Sequence, residues 1–450
     1  MEYYRYRWKV LLLAVLIGCL LLCGGCGLSS VDGLLLLPRV PSEYVQLQEQ
    51  LDAVLQTGAV YAVAETGANR QAVQLVDIDG DGIDEALAFF QTEDGAYRVY
   101  AFRQQDGVYT GIGMAEGYGS TLQAIYYPVC GQNGKLGLAM CWGFDDSGAH
   151  GMTVYGFTEN GLSVLLDTQY ADVSVQDADG DGLSELAFAV KDGVTGFFSA
   201  RLYQMREGQY RQVFDIPLCL EVKNVIRMSF DPPKGGEYSL FVDSAATTGG
   251  YVTDLIRYDG HAAQNWTMDP VSGSGVITWR SVSVSCADIT EDGQMEIPVT
   301  HHFEREQSET DSRCRLDWMD FSGKGEYTRA AETFHVPEEN WYLIWPERWG
   351  DRVQAEKKHT AFSEKTVFYT ESREKEMESL MTVWVFSGDN REEDARLLRH
   401  LKRLSGTGSG IYGYTVPEKG EISRLDLSER EILEMFHTIE PGWRTEEDGL

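Results

Sequence analysis

The sequence has few basic residues for its length. Its 450 residues contain 38 Lys and Arg against 70 Asp and Glu, which gives a formal net charge of −32. A chain of this charge repels the phosphates of nucleic acids and anionic lipid headgroups, so no nucleic-acid partner is expected. Proline is also scarce, whereas 47 Gly and 23 Tyr are typical of a fold with many short strands and tight turns.

Cysteine is scarce as well. Three of the eight cysteines lie within the first 26 residues, and the other five are Cys130, Cys141, Cys219, Cys286 and Cys314. This odd number and its spacing match neither a zinc motif nor a dense disulfide framework. We therefore interpret the five as small apolar residues buried in strands.

Catalytic signatures are missing from the chain. It contains no HExxH and no GxSxG motif. His301 and His302, followed by Glu304 and Glu306, form the only cluster that suggests a catalytic metal site, but neighbouring residues on a strand face opposite ways, so an exposed strand end is the better interpretation. The sequence therefore predicts no enzyme, although acids are numerous enough to leave a polysaccharide-active lyase or hydrolase as an alternative.

One apolar run stands at the N-terminus, from Val10 to Cys23. It follows three basic residues and is short for a membrane span, which is typical of a signal peptide. The small residues before Cys26 resemble a bacterial lipobox. That resemblance implies removal of residues 1–25 and lipidation of Cys26 at the outer face of the cell membrane of a Gram-positive bacterium. An uncleaved N-terminal anchor is the alternative.

A nine-residue acidic segment occurs three times, at 77–85, 177–185 and 288–296. The first two copies carry Asp at positions 1, 3 and 5, Gly at positions 4 and 6, and Glu at position 9. Carboxylates with this spacing curl around one centre, and calcium is the hard cation that such oxygen donors suit. Position 12 is not acidic in any copy and the flanks alternate as strands do, which excludes an EF-hand.

A strand–loop–strand segment of this kind resembles the calcium loops of FG-GAP and VCBS repeats in integrin-α-type β-propellers, over about residues 60–335. The resemblance implies calcium ions that brace hairpins without touching a ligand. In the first loop the implied ligands are Asp77, Asp79, Asp81, the carbonyl of Ile83, and Glu85. In the second loop they are Asp177, Asp179, Asp181, the carbonyl of Leu183, and Glu185. The third set would be Asp288, Thr290, Asp292, Gln294 and Glu296.

The third loop departs from the motif, because Thr290 replaces an Asp and Glu291 replaces a Gly. Two calcium ions are therefore expected, and a third is left open.

Hairpin signals recur between the acidic segments, at intervals of about 50 residues, as in the four-stranded blades of propellers. The sequence therefore predicts a mainly β fold, with a propeller of about five blades (range five to seven) over 59–336. The acidic loops would lie in the first, third and fifth blades, and ordinary turns in the others. A β-sandwich is the structural alternative.

The remaining segments flank this propeller. Residues 26–58 would form an anchor linker with a packing helix at Pro41–Leu55, and 337–450 a small α+β domain with weak similarity to PsbP-like domains. Its predicted elements are strands at Val367–Tyr369, Met381–Phe386 and Tyr412–Val416, a helix at Glu392–Leu404, and a helix that opens at Ser428 with a capping box to Glu431.

Taken together, these features predict a membrane-anchored lipoprotein whose calcium-braced propeller binds or scaffolds an unidentified protein or glycan. The anchor would attach it to the lipid bilayer through the acyl chains on Cys26.

Overall fold

The computed structural model describes residues 42–105, 108–144, 150–158, 161–232, 237–303, 309–371, 377–406, 410–418 and 423–439. The predicted signal peptide and Cys26 lie outside these residues. Of the helices in the described ranges, none combines the length and the apolarity that crossing a bilayer requires.

The described part of the chain starts with a helix, which is followed by five successive antiparallel sheets. Helix α1 is Ser42–Leu55. The first sheet contains β1 (Val60–Tyr61), β2 (Val73–Val76), β3 (Glu85–Gln91), β4 (Tyr97–Gln105) and β5 (Val108–Glu116), and the second β6 (Thr121–Tyr126), β7 (Gly137–Gly143), β8 (His150–Thr158) and β9 (Gly161–Tyr170). The third contains β10 (Asp172–Gln176), β11 (Glu185–Lys191), β12 (Phe198–Arg206) and β13 (Gln209–Pro217), and the fourth β14 (Val222–Phe230), β15 (Tyr238–Ala246), β16 (Tyr251–Tyr258) and β17 (Ala263–Asn265). The fifth is built from β18 (Ile297–Thr300), β19 (Arg315–Gly323), β20 (Glu326–Val336) and β21 (Trp341–Ile344), with helix α2 (Glu309–Cys314) between its first two strands.

A sixth sheet and two short helices complete the described chain. The sheet has the order β22 (Val353–His359), β23 (Glu364–Glu371), β24 (Met377–Ser387), β26 (Gly410–Thr415), β25 (Lys402–Gly406), and helix α3 (Arg391–Leu397) precedes β25. Helix α4 (Glu429–Met435) leads into β27 (Phe436–Thr438), which pairs with β21 and so returns to the fifth sheet.

Each of the first five sheets contains a four-stranded antiparallel meander, which is the blade unit of a β-propeller. The mainly β fold and its propeller blades are therefore as predicted. The acidic segments lie between β2 and β3 in the first sheet, between β10 and β11 in the third, and just before β18 in the fifth.

Burial on both faces explains how the sheets stack. In β3, Leu87 and Phe89 face the second sheet, whereas Ala88 and Phe90 face the other way, and all four are buried. Such strands carry continuous apolar runs because both faces are covered. Apolar clusters join each sheet to the next in chain order, from the first through the sixth.

Helix α1 covers the remaining face of the first sheet. Leu47 and Leu51 are buried against Phe90 and Phe102. This confirms the predicted packing helix. In the described ranges, no buried apolar cluster contains residues from both the first sheet and the fifth or sixth, so α1 occupies the face at this end of the series.

The five cysteines of the described chain are free thiols, and all but Cys130 are buried. The predicted burial is confirmed for those four, but of them only Cys141 lies in a strand, because Cys314 ends helix α2 and Cys219 and Cys286 lie in connecting segments.

In the C-terminal segment one predicted helix is wrong over part of its length, and strands β22, β25 and β27 were not predicted. The helix predicted at Glu392–Leu404 is wrong beyond α3, because the backbone turns at His400, whose φ is 65°, and continues as β25. Leu398, Leu401 and Leu404 satisfy a helical spacing, but they pack on the sheet from a turn and an edge strand. The capping box at Ser428 and Glu431 is confirmed. The fifth sheet takes β21 and β27 from beyond residue 337, so it shares one core with this segment.

The first acidic loop contacts the second sheet closely at Gly80. A Cβ atom there would lie 2.3 Å from the carbonyl oxygen of Asn133, whereas one at Gly82 would meet nothing within 4 Å. Both glycines have positive φ, 77° and 87°.

We therefore expect Gly80→Ala to destabilise the protein more than Gly82→Ala. The second change adds only the strain of positive φ, about 1–2 kcal/mol. The first also displaces a backbone segment, which typically adds about 1–3 kcal/mol. Urea unfolding of the two variants side by side measures the difference, and equal losses would show that the loop does not pack on this turn.

Candidate metal centres

The first acidic loop is wrapped around the side chain of Asp77. Its Oδ1 accepts hydrogen bonds from the N–H groups of Gly80 (2.8 Å) and Asp81 (3.1 Å), and its Oδ2 accepts one from Gly82 (2.9 Å). Asp81 in turn accepts one from the N–H of Ile83 at 2.8 Å. These bonds fix the loop with its carboxylates turned inward, so the local sequence alone determines the curl.

Three carboxylates of this loop converge. Oxygen atoms of Asp77, Asp79 and Glu85 lie within 4.8 Å of one another. Glu85 is fully buried, and its Oε2 accepts the N–H of Ile78 at 3.1 Å. Its Oε1 and the Oδ1 of Asp79 have no hydrogen-bond partner. Buried oxygens without a donor are costly, and a cation among the three carboxylates would satisfy them.

Burial raises the pKa of Glu85 to about 7, although the hydrogen bond from Ile78 opposes the shift, and the charge of Asp79 raises the pKa further. The fold thus places a carboxyl group where its negative charge is unfavourable unless a positive charge stands nearby.

The second loop repeats this geometry. Asp177 accepts the N–H groups of Gly180 (2.8 Å) and Gly182 (3.0 Å), as Asp77 does in the first loop. Glu185 is buried, and its Oε2 accepts the N–H of Ala178 at 2.7 Å. Burial raises the pKa of Glu185 to about 8. Asp177, Asp179 and Glu185 have oxygens within 4.8 Å of one another.

The third loop is wrapped in the same way, but both carboxylate oxygens of its glutamate accept hydrogen bonds. Asp288 accepts the N–H of Asp292 at 2.9 Å, and these two carboxylates converge with that of Glu296. Oε2 of Glu296 accepts the N–H of Ile289 at 3.0 Å, and its Oε1 accepts the hydroxyl of Thr290 at 2.8 Å. The threonine that departs from the motif therefore satisfies the oxygen that has no donor in the first loop.

The structure brings together most, but not all, of the predicted ligands. Asp81 and Asp181 lie outside the close carboxylate groups, whereas the hydroxyl of Thr290 lies 2.8 Å from Glu296 of the third group. At position 7, the N–H groups of the predicted carbonyl ligands donate to the carboxylates at position 5, in the pairs Ile83 to Asp81, Leu183 to Asp181 and Gln294 to Asp292. The side chains at positions 1 and 9 converge in all three loops, joined by position 3 in the first two and by position 5 in the third.

A fourth cluster was misread from the sequence. His301 is 7% exposed, not at a free strand end, because its N–H donates to the carbonyl of Arg315 and continues the sheet beyond β18. Its Nδ1 lies 2.8 Å from Asp317 and its Nε2 3.2 Å from Asp351. His302 is exposed on the opposite side, as strand alternation predicts. The alternation of Arg315 and Asp317 on β19 was the one local signal of a buried polar face.

Ligand atoms of His301, Asp317 and Glu332 lie within 4.8 Å of one another, as in the acidic loops, but here the carboxylates belong to an ion-pair network. The carboxylates of Asp317, Glu332 and Asp351 are paired with the guanidinium groups of Arg315 and Arg329. A protonated His301 completes the balance of charge. Burial alone would lower the pKa of His301, but the hydrogen bond to Asp317 and the charges of Asp317 and Glu332 raise it above its usual value.

A cleft of about 740 Å³ lies beside the third loop. Asp288 and Thr290 line one side, and Tyr342 and His437 line another. Tyr342 stacks on His437 with ring centroids 4.9 Å apart, so the cleft has an aromatic wall facing an acidic loop.

No protein-family model and no curated protein matches this chain. Several solved structures resemble it weakly. Sqt1 of Saccharomyces cerevisiae is 11% identical, with 80% of this chain and 96% of that chain covered and a TM-score of 0.31. The exotype rhamnogalacturonan lyase YesX is 8% identical over 79% and 91% of the two chains, with a TM-score of 0.30. The β-propeller domain of the Trilobed protease from Pyrococcus furiosus is 10% identical over 70% and 91%, with a TM-score of 0.26. Because these TM-scores are low, the assignment of blades rests on the sheet topology of this chain alone.

The His301 network makes stability depend on pH. Because the folded state raises the pKa of His301 above the value of about 6.5 in an unfolded chain, its contribution is complete below that value and is lost as the pH rises through the folded pKa. We expect the difference in unfolding free energy between the wild type and His301→Gln to be largest at acidic pH and to shrink as the pH rises through neutrality into the alkaline range. Urea unfolding across this range tests it, with His302→Gln as the exposed control. A difference that does not vary with pH would contradict the assignment.

Proposed function

We propose that this protein is a calcium-stabilised binding or scaffold module held at the outer face of the cell membrane. Metal binding is supported above all by the buried Oε1 of Glu85, which lies close to the carboxylates of Asp77 and Asp79 and accepts no hydrogen bond. The donors gathered there are all oxygens.

The chemistry of the donors favours calcium over other ions. Carboxylate oxygens suit hard cations, and zinc or copper sites take imidazole or thiolate ligands, which these loops lack. Calcium accepts six to eight oxygens in irregular geometry, whereas magnesium demands a near-ideal octahedron. When bound, the ion supplies the positive charge that lets the carboxylates of each loop stand close together. The residues that would hold it are Asp77, Asp79 and Glu85, and then Asp177, Asp179 and Glu185.

The loops lie where neighbouring sheets meet, which supports a bracing role. The carbonyl of Ile78 accepts the N–H of Leu136 in the second sheet at 2.9 Å. Ser184 donates its N–H to the carbonyl of Val129 at 2.8 Å, and its hydroxyl accepts the N–H of Val129 at 2.9 Å. A loop that relaxes without its ion would therefore loosen the junction with the second sheet.

The third loop is fastened in the same manner, because the N–H of Met295 donates to Asp231 of the fourth sheet at 2.7 Å. The cleft beside this loop, with Tyr342 and His437 in its wall, is a place where a glycan or a peptide could bind.

Removal of calcium should lower the thermal stability. An ion that binds only the folded state adds about 2.7 kcal/mol at a hundredfold excess over its Kd, so chelation should lower the Tm by several degrees. The double variant Asp77→Asn, Asp177→Asn should lose most of this shift. The charge-matched control, Glu93→Gln with Glu207→Gln, changes two exposed acids outside the loops and should keep it. Calorimetric titration of the chelated protein gives the number of sites, and the absence of both heat and shift would refute the metal proposal.

The membrane anchor is tested separately. Cys26→Ala should abolish incorporation of a labelled fatty acid and release the protein from the membrane fraction of expressing cells. Cys23→Ala, three residues earlier, should do neither. Retention of the label by Cys26→Ala would show that the anchor is attached elsewhere, or that the apolar segment itself remains.

A further inference from the structure

The first and second acidic loops share most of their sequence and of their internal hydrogen bonds, although the N–H of Asp81 donates to Asp77 whereas that of Asp181 donates to Asp179. At positions 1, 3, 4, 5, 6 and 9 the residues are the same, and the two positive-φ glycines have matching angles, 77° and 87° in the first loop and 77° and 85° in the second. Position 8 differs in charge, because the exposed Asp84 of the first loop is replaced in the second by Ser184, which is hydrogen-bonded to Val129. A second difference in charge comes from outside the loop.

That difference is a single residue on the strand next to the buried glutamate. In the first sheet Ala86 pairs with Phe102, and in the third sheet Leu186 pairs with Tyr203. The residues one step further along the second strand of each pair, Arg103 and Gln204, thus occupy the same place in the two blades. One carries a full positive charge and the other is neutral.

The two side chains contact equivalent atoms in their respective loops. Nη2 of Arg103 lies 3.1 Å from the Oδ2 of Asp79, and Nε2 of Gln204 lies 2.9 Å from the Oδ2 of Asp179. The guanidinium also approaches the carboxylate of Glu85, with its Nε 3.7 Å from Oε1. In the third sheet the nearest comparable cation is Arg206, which donates to Gln204 Oε1 at 2.8 Å and so stands one residue further from the loop.

We propose that Arg103 and Gln204 set different calcium affinities for the two loops, with the loop beside Gln204 binding calcium more tightly than the loop beside Arg103. This inference rests on the proposed function, since it assumes that both loops bind calcium. The guanidinium already neutralises part of the carboxylate charge of the first loop and repels a second cation. The amide orients the aspartate in the same way but adds no net charge.

Arg103 also makes the first loop less dependent on its ion. A positive charge within 4 Å of two ligand carboxylates reduces their mutual repulsion when the metal is absent. The second loop has only dipoles for this purpose. As the calcium concentration falls, the first loop should therefore lose its ion before the second loop does, while the blade around it remains folded.

The third loop does not enter this comparison, because its own sequence differs. The pairing of Ile297 with Met319 places Asp320 at the corresponding step, and Glu296 is satisfied by Thr290 inside the loop.

The test exchanges the two residues in proteins that retain one loop of the pair. Asp177→Asn with Asp288→Asn leaves only the first loop intact, and Asp77→Asn with Asp288→Asn leaves only the second. Asparagine keeps the oxygen that accepts the main-chain N–H groups, so the wrap of the disabled loops is preserved in part. Titration calorimetry with calcium alone then measures one Kd in each background.

We expect Arg103→Gln to tighten the Kd of the first loop, and Gln204→Arg to weaken that of the second, each on the order of tenfold for one unit charge near a divalent ion. Arg103→Lys keeps the charge and should leave the Kd within about threefold of its starting value. If both exchanges leave the Kd unchanged, or if Lys and Gln at 103 act alike, the inference is overturned while the calcium proposal survives. If neither background binds calcium, the proposed function itself fails, and the inference with it.

A folding defect in a background does not end the test. The exchanges are then made singly in the otherwise unchanged sequence, and the Tm is followed as a function of free calcium. Arg103→Gln should enlarge the loss of Tm on chelation and Gln204→Arg should reduce it. Changes in the opposite directions would overturn the inference.

Discussion

A buried glutamate at the start of a strand is the constraint on which the acidic loops depend. In all three, the residue at position 9 leaves the loop as the sheet begins, and its Oε2 accepts the N–H group at position 2, at 3.1, 2.7 and 3.0 Å. The position-2 residues Ile78, Ala178 and Ile289 are themselves buried. One end of each loop is thereby held inside the protein, and a carboxylate is carried into an environment that disfavours its charge. The remaining acidic residues of each loop gather around that point.

The stacking of the sheets explains why this arrangement occurs in every second blade. A strand buried on both faces offers no solvent to a polar side chain, so a charged group in its middle needs a buried partner, as Asp243 has in Arg280, whereas a group at the strand's end can join a loop. The turns of the second and fourth sheets lie against the acidic loops of their neighbours, as the contacts of Asn133, Val129 and Asp231 show. A plain turn and an acidic loop thus meet where the second sheet joins the first and the third, and where the fourth joins the fifth. Two acidic loops in contact would add their negative charges, and the alternation avoids that repulsion.

Much of this could be predicted from the sequence because the relevant interactions are local. The spacing of Asp77, Asp79 and Glu85 lies within nine residues, and the capping box of Ser428 within four, so a short window contains the whole pattern. The helix predicted through Leu404 failed because leucine spacing alone does not distinguish a helix from a turn followed by an edge strand. The His301 network was beyond reach, since its partners Asp317 and Asp351 come from a neighbouring strand and from the entry to the next sheet.

A local sequence motif also does not show which groups from neighbouring strands contact its carboxylates. In the three acidic loops, three different groups lie next to the carboxylate of the buried glutamate or of its neighbouring aspartate. Glu296 receives a hydroxyl from Thr290 within its own loop. Glu85 has a guanidinium nearby, from Arg103. In the third sheet the corresponding position holds Gln204, which brings no charge. The motif gives the number and the direction of the oxygens, but strand register decides which counter-charge stands beside them, and register is a property of the folded sheet. Copies of one repeat can therefore differ in their need for an ion although they share the acidic residues at positions 1, 5 and 9.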